Sequence, residues 1–472
     1  MDPVDGPATL TFLGGAGTVT GSKTLLRTTG DHRLLVDCGL FQGLKHLRLR
    51  NWEDLPVRAA EVDAVLLTHA HLDHCGYLPR LAAQGFSGPV YCTPGTHRLA
   101  EIVLRDSARL QEEQAEHANR HGYSKHRPAL PLYTEAEARA CLAQFTDVEL
   151  DLPVGVLPGV SATWRRAGHI LGSATIDVRV DDAAHPDGCH VVFSGDLGRG
   201  THPLLLPPSP IGHADVVVTE STYGDETHPA MDTDEVIAEA VRAILRREAV
   251  LIIPAFAVDR TEVVLWHLDR LVREGAVPPV PVFLDSPMAA RALRVYEEEA
   301  GAGSAEFRPE YRGRPLFPSL DLLEVSSTEE SKTLNTMRGP FVVVSASGMA
   351  TGGRVVHHLA NRVGDRDTIV MLVGYQATGT RGAALAAGEP TLRMLGRDFP
   401  VRARVMSVPL SSHADRDELV TWVGSAGPGL KRVVVNHGEP EATAALIEVL
   451  RERVDAAVEA AQPGGVITVG AD

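Results

Sequence analysis

No stretch of apolar residues is long enough to span a bilayer, which leaves no membrane partner to expect. The opening residues, MDPVDGPATLTFLGG, lack the basic segment and apolar core that direct secretion. Cysteine is scarce: Cys38, Cys75, Cys92, Cys141 and Cys189 are an odd number with no CxxC pair. That argues against a disulfide framework and against a thiolate zinc site, and makes a reducing cytoplasm the expected compartment. Lysine stands only at positions 23, 45, 125, 332 and 431, so the 45 basic residues are nearly all arginine. Arginine is the better fork for phosphate, but a GC-rich coding bias explains the excess more simply. The net charge of −16 counts against a nucleic-acid binder, whose phosphate contacts usually need a basic face. Two objections weaken that inference: bound metal would neutralise some carboxylates, and a metal cluster is itself the largest local positive charge. Low-complexity tracts and internal repeats are absent.

The 472 residues are long for one core and comfortable for two. Residues 8–13, 22–28 and 33–37 read as short strands between Gly-rich turns, and VDAVLLTH (62–69) as a buried strand running into a histidine cluster. Helical spacing follows at 76–83, at 97–120 and from about Thr134, and strands resume near 159–165, 174–180 and 190–196. The Pro-rich LLLPPSPIGH, ending at residue 213, is a boundary candidate. Beyond it ADVVVTES, AVLIIPAF, VPVFLDS, PFVVVSAS and DTIVMLVG alternate with amphipathic segments such as TDEVIAEAVRAILRRE. That rhythm predicts a parallel α/β sheet. Near residue 404 histidine-bearing loops return. The expected layout is one domain built from residues 1–209 and 404–472, interrupted by an α/β domain over 210–403 that roofs the site and leaves a narrow cleft.

Thr68-His69-Ala70-His71-Leu72-Asp73-His74 places four potential ligands in six residues where a buried strand ends. Packing does not explain such a cluster, whereas imidazole and carboxylate donors suit zinc. One ion would take His69 and His71, a second Asp73 and His74. Further donors must come from other strand ends. His169 in GHILGS and Asp196 in SGD follow strands, as do His413 in SSHAD and His437 in NHGEP. Taken singly, each could be a solvated or satisfied loop residue. Gly15-x-Gly17 with Gly21 mimics a dinucleotide fingerprint but leads into a strand rather than a helix. Ser347, Gly348 and Arg354 instead lie between a strand and a helix, where amide groups could cradle a backbone phosphate; the plain alternative is a Gly-rich packing turn.

These motifs resemble the metallo-β-lactamase superfamily, whose fold is an αββα sandwich. Thr219-Glu220-Ser221-Thr222-Tyr223-Gly224, His413 and His437-Gly438-Glu439 resemble motifs A, B and C of its β-CASP nuclease branch. PAFAVDRTE (254–262), LDSPMA (284–289), SASGMATGGR (345–354) and GYQATGT (374–380) extend the likeness to the group holding the endonuclease subunit of mRNA 3′-end cleavage. The resemblance implies that His69, His71 and His169 hold one zinc and Asp73, His74 and His437 a second, with Asp196 bridging and Asp37 orienting a ligand. It implies further that Glu220 pairs with His413 to keep that imidazole protonated toward the scissile phosphate. Asp259 and Ala383 depart from the branch's usual glycine and arginine, removing positive character from the expected RNA groove. No appended RNA-binding domain is recognised, so the two-domain cleft alone, a homodimer or a helper would have to hold the substrate.

The resulting expectation is a two-zinc ribonuclease that cuts single-stranded RNA with a metal-activated hydroxide. It would leave 5′-phosphate and 3′-hydroxyl ends, either as an endonuclease or from the 5′ end. Two rivals stand beside it. Hydrolysis of a small ester or thioester does not need the insert, and a non-catalytic processing subunit would not need all seven ligands.

Overall fold

The computed structural model describes residues 7–122, 124–182, 185–229, 231–377 and 379–469. Residues 1–6, read above for a targeting segment, and Thr378 of the GYQATGT motif lie outside the described residues. Two compact units emerge: Met1–His202 with Leu206–Thr227 and His413–Asp472, and Pro203–Leu205 with His228–Ser412.

The first unit is built on two seven-stranded sheets. One runs Val466–Thr468, Thr9–Gly14, Lys23–Arg27, Arg33–Val36, Ala64–Leu66, Val90–Cys92, Phe145–Asp147. The other runs Ala457–Ala460, Arg432–Val435, Val216–Thr219, His185–Phe193, Ala174–Asp182, Val160–Arg166, Val154–Leu157. Leu10, Phe12, Leu26 and Leu34 of the first sheet share one core with Trp164, Ile176, Val191 and Phe193 of the second. On the far face of the second sheet, helices Arg416–Gly424 and Pro440–Arg453 bury Leu419, Val423, Leu446 and Leu450 against Val217 and Val433. Helices Pro94–His121 and Glu135–Leu142 pack together, the former against strand Phe145–Asp147 of the first sheet. The layers form an αββα sandwich. Helix Pro94–His121 starts where the sequence allows it, with Thr93 accepting from the Thr96 amide and proline at the first position. It ends on Gly122 at φ 66°.

The second unit holds one wholly parallel sheet, ordered Asp321–Glu324, Pro281–Leu284, Phe341–Ser345, Val250–Pro254, Ile369–Val373, Arg404–Val408. Its central strands are buried along their whole length, as runs covered on both faces must be. Helices Thr233–Arg247 and Arg260–Arg273 occupy the amphipathic segments of the sequence.

Two strands sit where their sequences do not suggest. Val216–Thr219, grouped by its valines with the insert, pairs instead with Val191–Phe193 and with Arg432–Val435 of the first unit. A run of valines records burial on both faces, and the middle of a sandwich supplies that as well as a parallel sheet does. Arg404–Val408 pairs with Ile369–Val373 at the edge of the insert's sheet, and the chain re-enters the first unit only at His413. Among the described residues no helix is long and apolar enough to cross a membrane, and all five cysteines are buried.

Candidate metal centre

Strand ends deliver the site. After Ala64–Leu66 the chain leaves the ladder because the Thr68 amide and hydroxyl both donate to Asp37, at 2.9 Å each. Asp37 itself ends the neighbouring strand in a left-handed conformation, φ 60°. Its other oxygen lies 2.7 Å from Nδ1 of His74. A carboxylate there fixes a proton on Nδ1 and leaves Nε2 as the His74 nitrogen turned to the site. Thr68 repeats the device: its hydroxyl proton is spent on Asp37, so Oγ1 accepts from Nδ1 of His69 at 3.0 Å. His69 therefore also presents Nε2. Gly39 and Gly195 allow the close approach this requires. A Cβ on Gly39 would stand 1.6 Å from the Asp73 carbonyl oxygen, and one on Gly195 2.7 Å from Cβ of Thr68.

Nδ1 of His71 lies 3.2 Å from Nε2 of His69 and 3.1 Å from Nε2 of His169. Oδ2 of Asp196 lies 3.4 Å from Nε2 of His69 and 3.7 Å from Nε2 of His169. The opposite oxygen, Oδ1, lies 3.1 Å from Nε2 of His74 and 3.3 Å from Nδ1 of His437. Oδ2 of Asp73 stands 3.7 Å from Nε2 of His437. Donor atoms thus gather as His69, His71, His169 and Asp196, and as Asp73, His74 and His437, each set within 4.8 Å. His437 is held at φ 44°, a region that side-chain-bearing residues seldom occupy and that is common at functional sites.

Charge follows burial. Desolvation lowers His69, holds His71 down at about 3 and sends His169 well below the usual imidazole range, so these rings are neutral. Burial works against His74 too, but Asp196 and Asp37 outweigh it and raise its pKa well above normal. Burial likewise opposes Asp196, yet His74, His437 and His69 carry its carboxyl well below the ordinary range. Among the described residues, Nε2 of His74, Oδ1 of Asp196 and both ring nitrogens of His437 are buried without a hydrogen-bond partner. Buried polar atoms are rarely left so. Converging imidazoles and carboxylates are the donor set of a zinc site, which would displace the second proton of His74 on binding, and the residues fit that metal.

Beside this centre Nδ1 of His413 lies 3.2 and 3.3 Å from the two oxygens of Glu220. Glu220 is buried and accepts from the Leu197 amide at 2.6 Å, while the Ser194 hydroxyl receives the Glu220 amide at 2.9 Å. Nε2 of His413 is 3.9 Å from Oδ2 of Asp196, and its side chain remains 20% exposed. Glu220 also falls within one 4.8 Å group with Asp196 and His437.

The chain matches, in order, a beta-lactamase superfamily domain over residues 32–254, a Beta-Casp domain over 261–385 and a Zn-dependent metallo-hydrolase RNA specificity domain over 398–461. It is 38% identical to Ribonuclease TTHA0252 of Thermus thermophilus over 445 residues, 93% of this chain and 95% of that protein. The chain belongs to the β-CASP ribonuclease family. Transcription termination factor FttA of Methanosarcina mazei is similar at 30% identity, covering 92% of this chain and 67% of that protein. FttA of Methanocaldococcus jannaschii is similar at 28%, covering 91% and 67%. As a β-CASP protein the chain is a metal-dependent hydrolase.

In the β-CASP insert, Ser347 and Gly348 lie on the loop after strand Phe341–Ser345. The Ser347 hydroxyl accepts from the Thr351 amide at 3.1 Å. Arg354 is engaged within the insert: Nη1 donates to Asp285 at 2.7 Å and to the Val325 carbonyl at 3.0 Å. Asp285 is fully buried and also takes His358 and Ser331, both at 2.6 Å. Thr68 and Ser194 were not singled out as functional from the sequence, where hydroxyls carry no visible signal. Lys23 was missed as well. It is buried, with Nζ donating to the Gly39 carbonyl and lying 4.7 and 4.8 Å from the ring centres of Phe41 and Tyr77.

Proposed function

We propose that this β-CASP protein hydrolyses phosphodiester bonds of single-stranded RNA with two zinc ions, leaving 5′-phosphate and 3′-hydroxyl ends. The observation that carries the reading is Asp196, whose two oxygens face two separate sets of nitrogen and carboxylate donors. His69, His71 and His169 would hold one ion, Asp73, His74 and His437 the other, and Asp196 both. Bound there, the ions would supply Lewis acidity and lower the pKa of water at the phosphate. The remaining work falls to the chain. Asp37 and Thr68 fix the tautomers of His74 and His69. Glu220 holds Nδ1 of His413 and aims its Nε2 toward the centre. His413 then protonates the leaving 3′-oxygen as the P–O3′ bond breaks, so the upstream fragment ends in a 3′-hydroxyl and the downstream fragment carries the 5′-phosphate. The names of the relatives, a ribonuclease and a transcription termination factor, agree with an RNA substrate.

The test is cleavage of one RNA oligonucleotide labelled at either end, with and without chelator. Products bearing 5′-phosphate, lost on chelation and regained with zinc, are expected. Products ending in 2′,3′-cyclic phosphate would refute the reading.

A further inference from the structure

We propose that the carboxyl edge of the insert's sheet is a base-stacking platform for a single RNA strand, with Phe256 and Tyr375 as its rings. The proposal rests on the reading of this chain as a nuclease of single-stranded RNA. Phe256 is 42% exposed and Tyr375 56% exposed. An isolated exposed ring is ordinary on a protein surface, but these two lie on loops that leave adjacent parallel strands, Val250–Pro254 and Ile369–Val373. Ligands of open parallel sheets bind outside the carboxyl ends of the strands.

The loops are braced as a receptor would be. Gly348, on the loop after the third adjacent strand, packs so tightly on Phe256 that a Cβ would sit 2.9 Å from its Cδ2 and from its amide nitrogen. Gln376, next to Tyr375, donates to the Gly348 carbonyl at 3.4 Å. Arg381 ties the same loop down through the carbonyls of Ala350 and Thr351, at 3.0 Å each, and that of Arg393 at 2.8 Å. Those three partners are neutral carbonyls, so none of them offsets the guanidinium. An apolar peptide would need the rings but not the charge. A duplex would offer charge but no open base faces. An unpaired strand uses both, since every base has a face to stack and every phosphate a charge to meet.

The test uses zinc-loaded full-length protein and a phosphorothioate-linked RNA strand carrying 2-aminopurine, which resists cleavage. The same strand with abasic sites and its duplex serve as comparisons. The intact strand should bind roughly tenfold more tightly than the abasic one. Phe256→Ala and Tyr375→Ala should each weaken the intact strand by about tenfold and leave the abasic strand unchanged. Phe256→Tyr and Tyr375→Phe should restore binding. Alanine variants that bind the intact strand as tightly as the parent would overturn the platform, as would aromatic exchanges that lose as much as alanine. Base-dependent binding by a protein that cuts no ordinary RNA would overturn the ribonuclease reading and uphold the platform. RNA cleavage with base-independent binding would overturn the platform alone.

Discussion

Nδ1 of His413 lies 3.2 Å from Oε1 of Glu220, a buried carboxylate that also accepts from the Leu197 amide. The pairing gives His413 a partner other than Asp196 and the six donors gathered with it. His413→Ala should therefore keep both metals and lose about 10²–10⁴-fold in RNA cleavage, the usual contribution of a general acid. Glu220→Gln should show a milder loss. A nitrophenyl phosphodiester, whose leaving group needs no proton, should suffer less than RNA. His437→Ala should lose metal first. Metal content and both rates on the three variants decide this, and zinc lost from His413→Ala but kept in His437→Ala would reverse the assignment.

Asp37 holds His74 at 2.7 Å and the Thr68 hydroxyl at 2.9 Å. Asp37→Asn removes the charge that sets the tautomer while keeping the shape. Zinc affinity, read by competition with a chromogenic chelator, should fall about 10–100-fold. An unchanged affinity would show that the carboxylate does not orient the ligand.

Arg354 supplies one of the partners of fully buried Asp285, with His358 and Ser331 as the others. Arg354→Ala should lower stability by about 1–3 kcal/mol in urea unfolding. Asp285→Ala, which strands the arginine and the histidine together, should cost more. Full stability in Arg354→Ala with weakened RNA binding would return this arginine to the role of a phosphate ligand.

Burial lowers the Lys23 ammonium to a pKa of about 8 from the ordinary 10.5. A lysine with a depressed folded pKa binds fewer protons when folded, so stability rises with pH above that value until the unfolded chain also deprotonates. Between pH 8 and 9 the parent should gain about 1 kcal/mol relative to Lys23→Met. This window lies below the ordinary thiol value of 9.0 and far below neighbouring Cys38, which burial pushes up to about 12. Parallel stability curves for the two proteins would show that Lys23 is not desolvated.

Much of this was legible in the sequence because the histidines stand where apolar runs stop. Ala64–Leu66 is fully buried, and the polar cluster directly after it has to be a loop mouth. The strands Val250–Pro254, Phe341–Ser345 and Ile369–Val373 lie inside the apolar runs that predicted them. Sheet membership was less legible: hydropathy reports that Val216–Thr219 is covered on both faces, not by which neighbours. Asp321–Glu324 was invisible, since this edge strand of DLLE is largely exposed. Side-chain partners distant in sequence were also hidden. Arg354 and Asp285, 69 positions apart, meet only through the parallel sheet. The exposure of Phe256 and Tyr375 was hidden too, since both lie in motifs, PAFAVDRTE and GYQATGT, whose sequence does not say which side chains face solvent.

The central claim is that Asp196 and the six side chains around it form a two-ion centre that cuts RNA. Its most direct test is a zinc titration of the metal-stripped protein, with cleavage of a 5′-labelled single-stranded RNA followed at each addition. Activity that rises to a plateau at two equivalents per chain is the result expected. Cleavage that survives stripping, or a plateau at one equivalent, would contradict the account.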